Sequence, residues 1–453
     1  VSVFQNVSTV STSNFVQVTS INTIDNNLKP VNTVATECFD LNGDGLPDLV
    51  FSSEERTSKQ IFIYENTSSG GTISFNPLTP FALPLDNDGN SLGPRVFKLS
   101  DLDLDGKPEI IVSQTANFIN EIFIYRNTSN GGISFDSSNP IRIAVTGANK
   151  TGTLDIADLD NDQLPDIVTA PYASASSRVF ILKNSSINGS ISFGSTTTLS
   201  TSATWLNIQL ADINNDGFND IVYNSTSAVR IALNSGTTGN FNFSASDESS
   251  FSVPGAFGLA AGDINGDGNI DIAVSSTANN ITILENLGTS TPSPSFTISS
   301  VSTDFNTRNV QIADYNGDAK PDIGFTHRSE DTAFGFFSVL INRNCISPVI
   351  SPSGLTFCTG SPFTLEATNS INTTYNWTTS GDVTLQSQTG NEATFVVNSG
   401  TSATITVGIT TTDGSCTTSK EETFTLTGGT PPAAPTITNS NAGTICAGTE
   451  FTL

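Results

Sequence analysis

The 453-residue sequence contains no methionine, one histidine, His327, and two tryptophans. A single histidine rules out catalytic triads built on an imidazole and zinc sites rich in histidine. Basic residues are also scarce: 17 Lys and Arg stand against 43 Asp and Glu, for a formal net charge of -26. That balance excludes the basic footprint of a nucleic-acid partner and disfavours an anionic membrane surface. No run of 18 apolar residues occurs, so no segment is predicted to span or insert into a bilayer. No nucleophile elbow, phosphate-binding loop or zinc signature is present, and the chain is read as non-enzymatic. The missing initiator methionine leads us to expect a piece of a longer product, with any export signal upstream.

What is abundant is Ser, Thr, Asn and Gly, with Val and Ile in short bursts and no sustained 3.6-residue period. This composition predicts an all-β protein. Within it, six segments share one pattern: DLNGDGLPDLV from Asp40, DLDLDGKPEIIV from Asp101, DLDNDQLPDIV from Asp158, DINNDGFNDIV from Asp212, DINGDGNIDIAV from Asp263 and DYNGDAKPDIGF from Asp314. Oxygen-bearing side chains occupy positions 1, 3, 5 and 9. They are Asp40, Asn42, Asp44 and Asp48; Asp101, Asp103, Asp105 and Glu109; Asp158, Asp160, Asp162 and Asp166; Asp212, Asn214, Asp216 and Asp220; Asp263, Asn265, Asp267 and Asp271; and Asp314, Asn316, Asp318 and Asp322.

Short carboxylates and amides at alternate positions of a curled loop converge on one point, the requirement of a hard cation such as calcium, which takes 6–8 oxygens at about 2.3–2.6 Å. Gly45, Gly106, Gly217 and Gly268 at position 6 permit the sharp turn, whereas Gln163 and Ala319 predict weaker or differently bent third and sixth loops. An EF-hand requires Glu at position 12. Here that position holds Phe51, Val112, Thr169, Tyr223, Val274 and Phe325, so the carboxylate at position 9 is expected to close the site. The six loops hold 20 of the 43 carboxylates, and six bound calcium ions would bring the net charge from -26 to -14. Calcium is therefore expected to stabilise the fold rather than to perform chemistry.

A second motif recurs in the same phase: a strand, an Asn and a polar Gly/Ser turn, usually followed by a strand with Phe. Its asparagines are Asn6, Asn66, Asn127, Asn184, Asn234, Asn286 and Asn342. One unit then comprises four strands, with the acidic loop between the first two and the Asn turn between the last two, the grammar of a propeller blade. In these residues the chain resembles the FG-GAP/VCBS family of calcium-loop blades, found also in integrin α-subunit heads. The resemblance covers residues 1–344 and implies a seven-bladed β-propeller. The first two strands of blade one are expected upstream of Val1, which would also supply the strand that the last blade lacks.

After a linker at 345–353 the pattern changes. GLTFCTGSPFTL at 354–365 is echoed by GTICAGTEFTL at 443–453. A β-sandwich over 354–428 resembling PKD and immunoglobulin modules is expected, then a Pro-rich linker at 429–435 and the start of a second module at 436–453. Cys358 and Cys416 are expected to pair within the sandwich. Cys38 is expected to be a buried free thiol in an inner strand. Calcium loops and disulfide-capable modules point outside the cytoplasm.

Architecturally the chain resembles large Bacteroidota surface adhesins exported by the type IX system, some of which serve gliding motility. The resemblance implies a secreted, cell-surface binding head on a stalk. An extracellular surface, glycan or protein is the expected ligand, and outer-membrane secretion or motility machinery a further partner. The face opposite the acidic loops has irregular connections suited to recognition, among them 52–59, 115–121, 171–177 and 326–335, the last holding His327. Arg95, Trp205, Phe257 and Arg308, just before inner strands, are the candidate ligand contacts. Two other readings remain open: a polysaccharide-active lyase or hydrolase with appended sandwich modules, and a structural spacer or docking part of a surface assembly.

Overall fold

A computed structural model describes residues 2–6, 15–20, 35–55, 58–70, 72–84, 92–114, 120–148, 151–171, 178–187, 189–200, 207–288, 294–316, 320–328, 335–342, 350–351, 357–358, 362–367, 373–381, 383–398, 402–411 and 417–427. All regular elements in them are strands. No helix is long and apolar enough to cross a membrane among the described residues.

Six antiparallel sheets follow one another in sequence order. Sheet one pairs Ala35–Phe39, Asp48–Glu55, Ser58–Asn66 and the short pieces Phe75–Pro77 and Phe81–Ala82. Sheet two runs Pro94–Ser100, Glu109–Gln114, Glu121–Tyr125 and Ile141–Ala144. Sheet three runs Thr153–Ala157, Asp166–Ala170, Arg178–Asn184 and Phe193–Ser200, and sheet four Asn207–Ala211, Asp220–Asn224, Ala228–Asn234 and Phe243–Ser252. Sheet five runs Ala256–Gly262, Asp271–Ser276, Asn280–Asn286 and Phe296–Ser302. Sheet six has three strands among the described residues: Thr307–Ala313, Asp322–Arg328 and Gly335–Leu340. A separate two-stranded sheet joins Ser2–Asn6 to Phe15–Ser20, where the seventh Asn-turn hairpin was expected.

The first strands of successive sheets pack side by side, and residues from all six line one cavity of about 220 Å³, the channel of a β-propeller. Burial follows from strand composition. The second strands, such as Glu109–Gln114 and Asp166–Ala170, are apolar runs and wholly buried; the fourth strands are largely polar and exposed. The core lies between neighbouring sheets. Leu41, Val50 and Ile61 of sheet one pack with Phe97, Ile110, Val112 and Phe123 of sheet two, and each later junction repeats the arrangement. Each such side chain contributes about 1.5–3 kcal/mol on burial. Glycine is required where sheets five and six meet: a Cβ on Gly258 would collide with the Arg308 carbonyl.

Beyond residue 349, two four-stranded sheets share another core. Leu365, Phe395 and Val397 of one face Trp377, Ile405 and Val407 of the other, and the Trp377 ring meets the Phe395 ring edge-on at 5.7 Å.

Several expectations are corrected. Cys38 does lie in an inner strand but is an exposed free thiol, because its side of Ala35–Phe39 is not covered. His327 is not in a connecting loop: the second strand of sheet six runs on to Arg328, and the ring stacks on Phe305 at 5.1 Å and hydrogen-bonds Ser338 Oγ at 2.9 Å. The expected connection at 52–59 is mostly strand. Cys345, Cys416, Cys446, the Cys358 side chain, and the modules and linkers placed at 345–349 and 428–453 fall outside the described residues.

Candidate cation loops and channel

Each acidic loop joins the first and second strands of its sheet and is curled around its own first residue. In loop one, Asp40 Oδ1 accepts the amides of Gly43 and Asp44, and Oδ2 that of Gly45. The bonds from the amides at positions 5 and 6 recur on Asp101, Asp158, Asp212 and Asp263, and that from position 4 recurs on Asp263. The oxygen at position 5 then takes the position 7 amide, as Asp44 does from Leu46 at 2.8 Å. This winding needs a left-handed backbone at position 6, where Gly45, Gly106, Gly217 and Gly268 have φ of 84–90°. Gln163 adopts φ 76°, so the third loop bends as the others do, against expectation. The sixth loop's Asp318 and Ala319 lie outside the described residues.

The position 9 carboxylate is a buried hub. Asp166 Oδ2 accepts the Leu159 amide at 3.1 Å and Oδ1 the Asn184 amide at 2.7 Å. Asp48, Asp220, Asp271 and Asp322 repeat both bonds. Burial pushes these acids up: Glu109, Asp166 and Asp220 to about 7, and Asp271 to about 6, with the accepted amides working in the opposite direction.

The motif asparagines tie the sheets together. Asn184 Nδ2 donates to Pro165 O of its own loop at 2.9 Å and to Leu102 O of the preceding loop at 2.8 Å. Asn127, Asn234, Asn286 and Asn342 make the same double link. The sequence placed these residues in turns; their bridging role depends on carbonyls 73 to 86 residues earlier in the chain, which no local pattern shows.

Ligand atoms of Asp101, Asp103 and Glu109, and of Asp158, Asp160 and Asp166, lie within 4.8 Å of one another. Several of these oxygens are fully buried and accept no hydrogen bond: both of Asp103, Oε1 of Glu109 and Oδ1 of Asp160. Orphaned buried acceptors are costly. An all-oxygen, acidic set with unfilled acceptors fits a hard divalent cation and no soft metal. The sequence reading missed one further group, the charged residue preceding four of the motif asparagines: Glu65, Arg126, Lys183 and Glu285 all contact loop position 3. The signal was present in the triplets YEN, YRN, LKN and LEN.

At the other end of the inner strands, the candidate ligand contacts separate. Arg95, Phe257 and Arg308 are half-buried residues within the strands rather than before them. The Arg308 guanidinium lies 4.7 Å over the Phe257 ring, on the adjacent strand. Arg95 and Phe257 line the channel; deeper in, Lys98 Nζ stands 3.5 Å from Glu37 and 3.3 Å from Asp155, linking three sheets. Trp205 lies outside the described residues.

Comparison with known proteins gives three findings. The model of the FG-GAP-like repeat matches five times, at residues 40–112, 101–169, 158–223, 212–274 and 263–325. Human integrin alpha-7 is 30% identical over 144 residues, which are 30% of this chain and 12% of the integrin. A solved Agrocybe aegerita lectin, described as recognising non-reducing terminal N-acetylglucosamine, aligns with TM-score 0.45 and 17% identity over 73% of this chain and 86% of the lectin.

Proposed function

The chain belongs to the FG-GAP-like repeat family, and from that premise we propose that it is a calcium-stabilised binding head of a secreted, cell-surface adhesin. The carrying observation is the repeated loop, with its all-oxygen donor set and buried, unfilled acceptors on Asp103, Glu109 and Asp160. Calcium would supply positive charge at the centre of each loop, held by positions 1, 3, 5 and 9. The chain's own residues do the rest: position 1 winds the loop, position 9 fastens it to strands two and three, and the asparagine fastens it to the preceding sheet. The pair of sheets beyond residue 349 serves as an immunoglobulin- or PKD-like stalk module, as in Bacteroidota type IX surface proteins.

Recognition belongs to the end of the ring away from the loops, where Arg95, Phe257 and Arg308 pair cationic and aromatic groups at the channel. Similarity to an integrin α chain supports a non-enzymatic binding module with an extracellular ligand. The test is binding of the folded chain to a panel of glycans, matrix proteins and abiotic surfaces, with calcium and without. Saturable, calcium-dependent binding to one class, weakened by Arg308→Ala, is expected. Release of product from a polysaccharide, or a folded chain that binds nothing, overturns the reading.

A further inference from the structure

We propose that in four loops the charged residue just before the motif asparagine, Glu65, Arg126, Lys183 or Glu285, positions the ligand at loop position 3, and is matched to that ligand in charge. The proposal rests on the calcium reading above and goes beyond it.

The pattern divides the loops by chemistry. In two of the four loops with Asn at position 3, an acid faces it: Asn42 Nδ2 donates to Glu65 Oε1 at 3.3 Å, and Asn265 Nδ2 to Glu285 Oε1 at 3.1 Å. Where position 3 is Asp, a base faces it: Arg126 Nη2 lies 3.5 Å from Asp103 Oδ2, and Lys183 Nζ pairs with Asp160 Oδ2. Loops four and six have Leu233 and Ile341 at this place; in loop four, among the described residues, Asn214 Nδ2 keeps only the bond to Asp216 Oδ2 at 2.9 Å, which Asn42 and Asn265 also make to Asp44 and Asp267.

The matching has a physical reason. An amide has one acceptor end and one donor end, and only the acceptor serves a cation. Glu65 and Glu285 hold the donor end while the oxygens of Asn42 and Asn265 face the loop and take the amides of Asp44 and Asp267; Asn214 has the same orientation through Asp216, so the acids reinforce it rather than create it. A carboxylate has two acceptors. Lys183 takes Oδ2 of Asp160 and leaves Oδ1, buried and accepting no hydrogen bond; on Asp103 the guanidinium balances the charge from 3.5 Å and leaves both buried oxygens without a hydrogen bond. The basic heads are themselves fixed from the next sheet, Arg126 by Gly189 O at 2.6 Å and Lys183 by Gly239 O at 2.7 Å. A lysine opposite Asn would draw the amide oxygen out of the loop; a glutamate opposite Asp would repel it. Partners that orient metal ligands in this way typically change affinity 10–100-fold.

The experiment is calorimetric calcium titration of the metal-stripped full chain, with thermal melts in both states. Glu285→Lys is expected to weaken one site about tenfold or more, and Asn265→Asp added to it to restore that site. A purely structural role would lower both melts equally and leave the calcium-induced shift unchanged. Should Glu285→Lys not fold, Glu285→Leu, which copies sheet four, is expected to weaken the same site. Wild-type affinity in the single variant, or a double variant as weak as the single, overturns the pairing. A wild-type chain that binds no calcium overturns the cation reading itself, and the pairing with it.

Discussion

Single residues carry unequal burdens in these loops. Gln163 at φ 76° and Leu104 at φ 58° hold a left-handed backbone, which costs a residue with a side chain about 1–2 kcal/mol. Gln163→Gly is therefore expected to raise stability by about 1 kcal/mol, and Gln163→Val to lower it, in denaturant unfolding of the calcium-free chain. Asn184 holds two carbonyls while its own amide serves Asp166. Asn184→Ala keeps the backbone bond but orphans two buried carbonyls, an expected loss of about 2–4 kcal/mol in the same measurement. The loops and their oxygen-bearing side chains were legible because the pattern repeats at fixed spacing. The asparagine links and the bend at Gln163 were not: the first depends on a neighbouring sheet, the second on tertiary contacts that outweigh a local backbone preference.

At the scale of the loop, protons and a bound cation would compete for the same carboxylates. Glu109, Asp166 and Asp220 at about 7 and Asp271 at about 6 sit above the unfolded value near 4. Folding of the metal-free chain therefore takes up protons. The stabilising contribution is full below about pH 4 and is lost as pH rises through about 6 to 7. Metal-free melts are expected to fall between about pH 5 and pH 8. In saturating calcium the trend should reverse over that window, because the ion needs deprotonated carboxylates. Melting temperatures that fail to diverge between the two series would refute the assignment of these carboxylates to a metal loop. Strand order within each unit was readable from the alternation of acidic loop and Asn turn. Exposure of Cys38 and the strand position of His327 were not, since sequence shows which residues form a strand but not what covers it.

At the scale of the molecule, cohesion lies between the sheets. Among the described residues, five of the ring's six core clusters draw on two neighbouring sheets; only the cluster of Leu49, Phe51 and Phe62 lies within one sheet. Removing calcium should therefore lower one cooperative ring transition rather than release individual loops. Calorimetry with chelator is expected to show a large drop in a single peak for residues 35–342, with the transition of the later paired sheets unmoved. Gly258→Val, at the close approach of sheets five and six, should lower that ring transition by about 1–3 kcal/mol and spare the other.

The asparagine links all point one way: each sheet donates to the loop of the sheet before it in the chain. On a ribosome, which delivers the amino-terminal sheets first, every acceptor carbonyl exists before its donor emerges. Each new sheet thus docks onto a finished anchor. A partly made ring is left with a carbonyl awaiting a partner, which a folded backbone tolerates more readily than an unpaired N–H. The polarity of these bonds gives the ring a direction of assembly, and that direction coincides with the direction of synthesis.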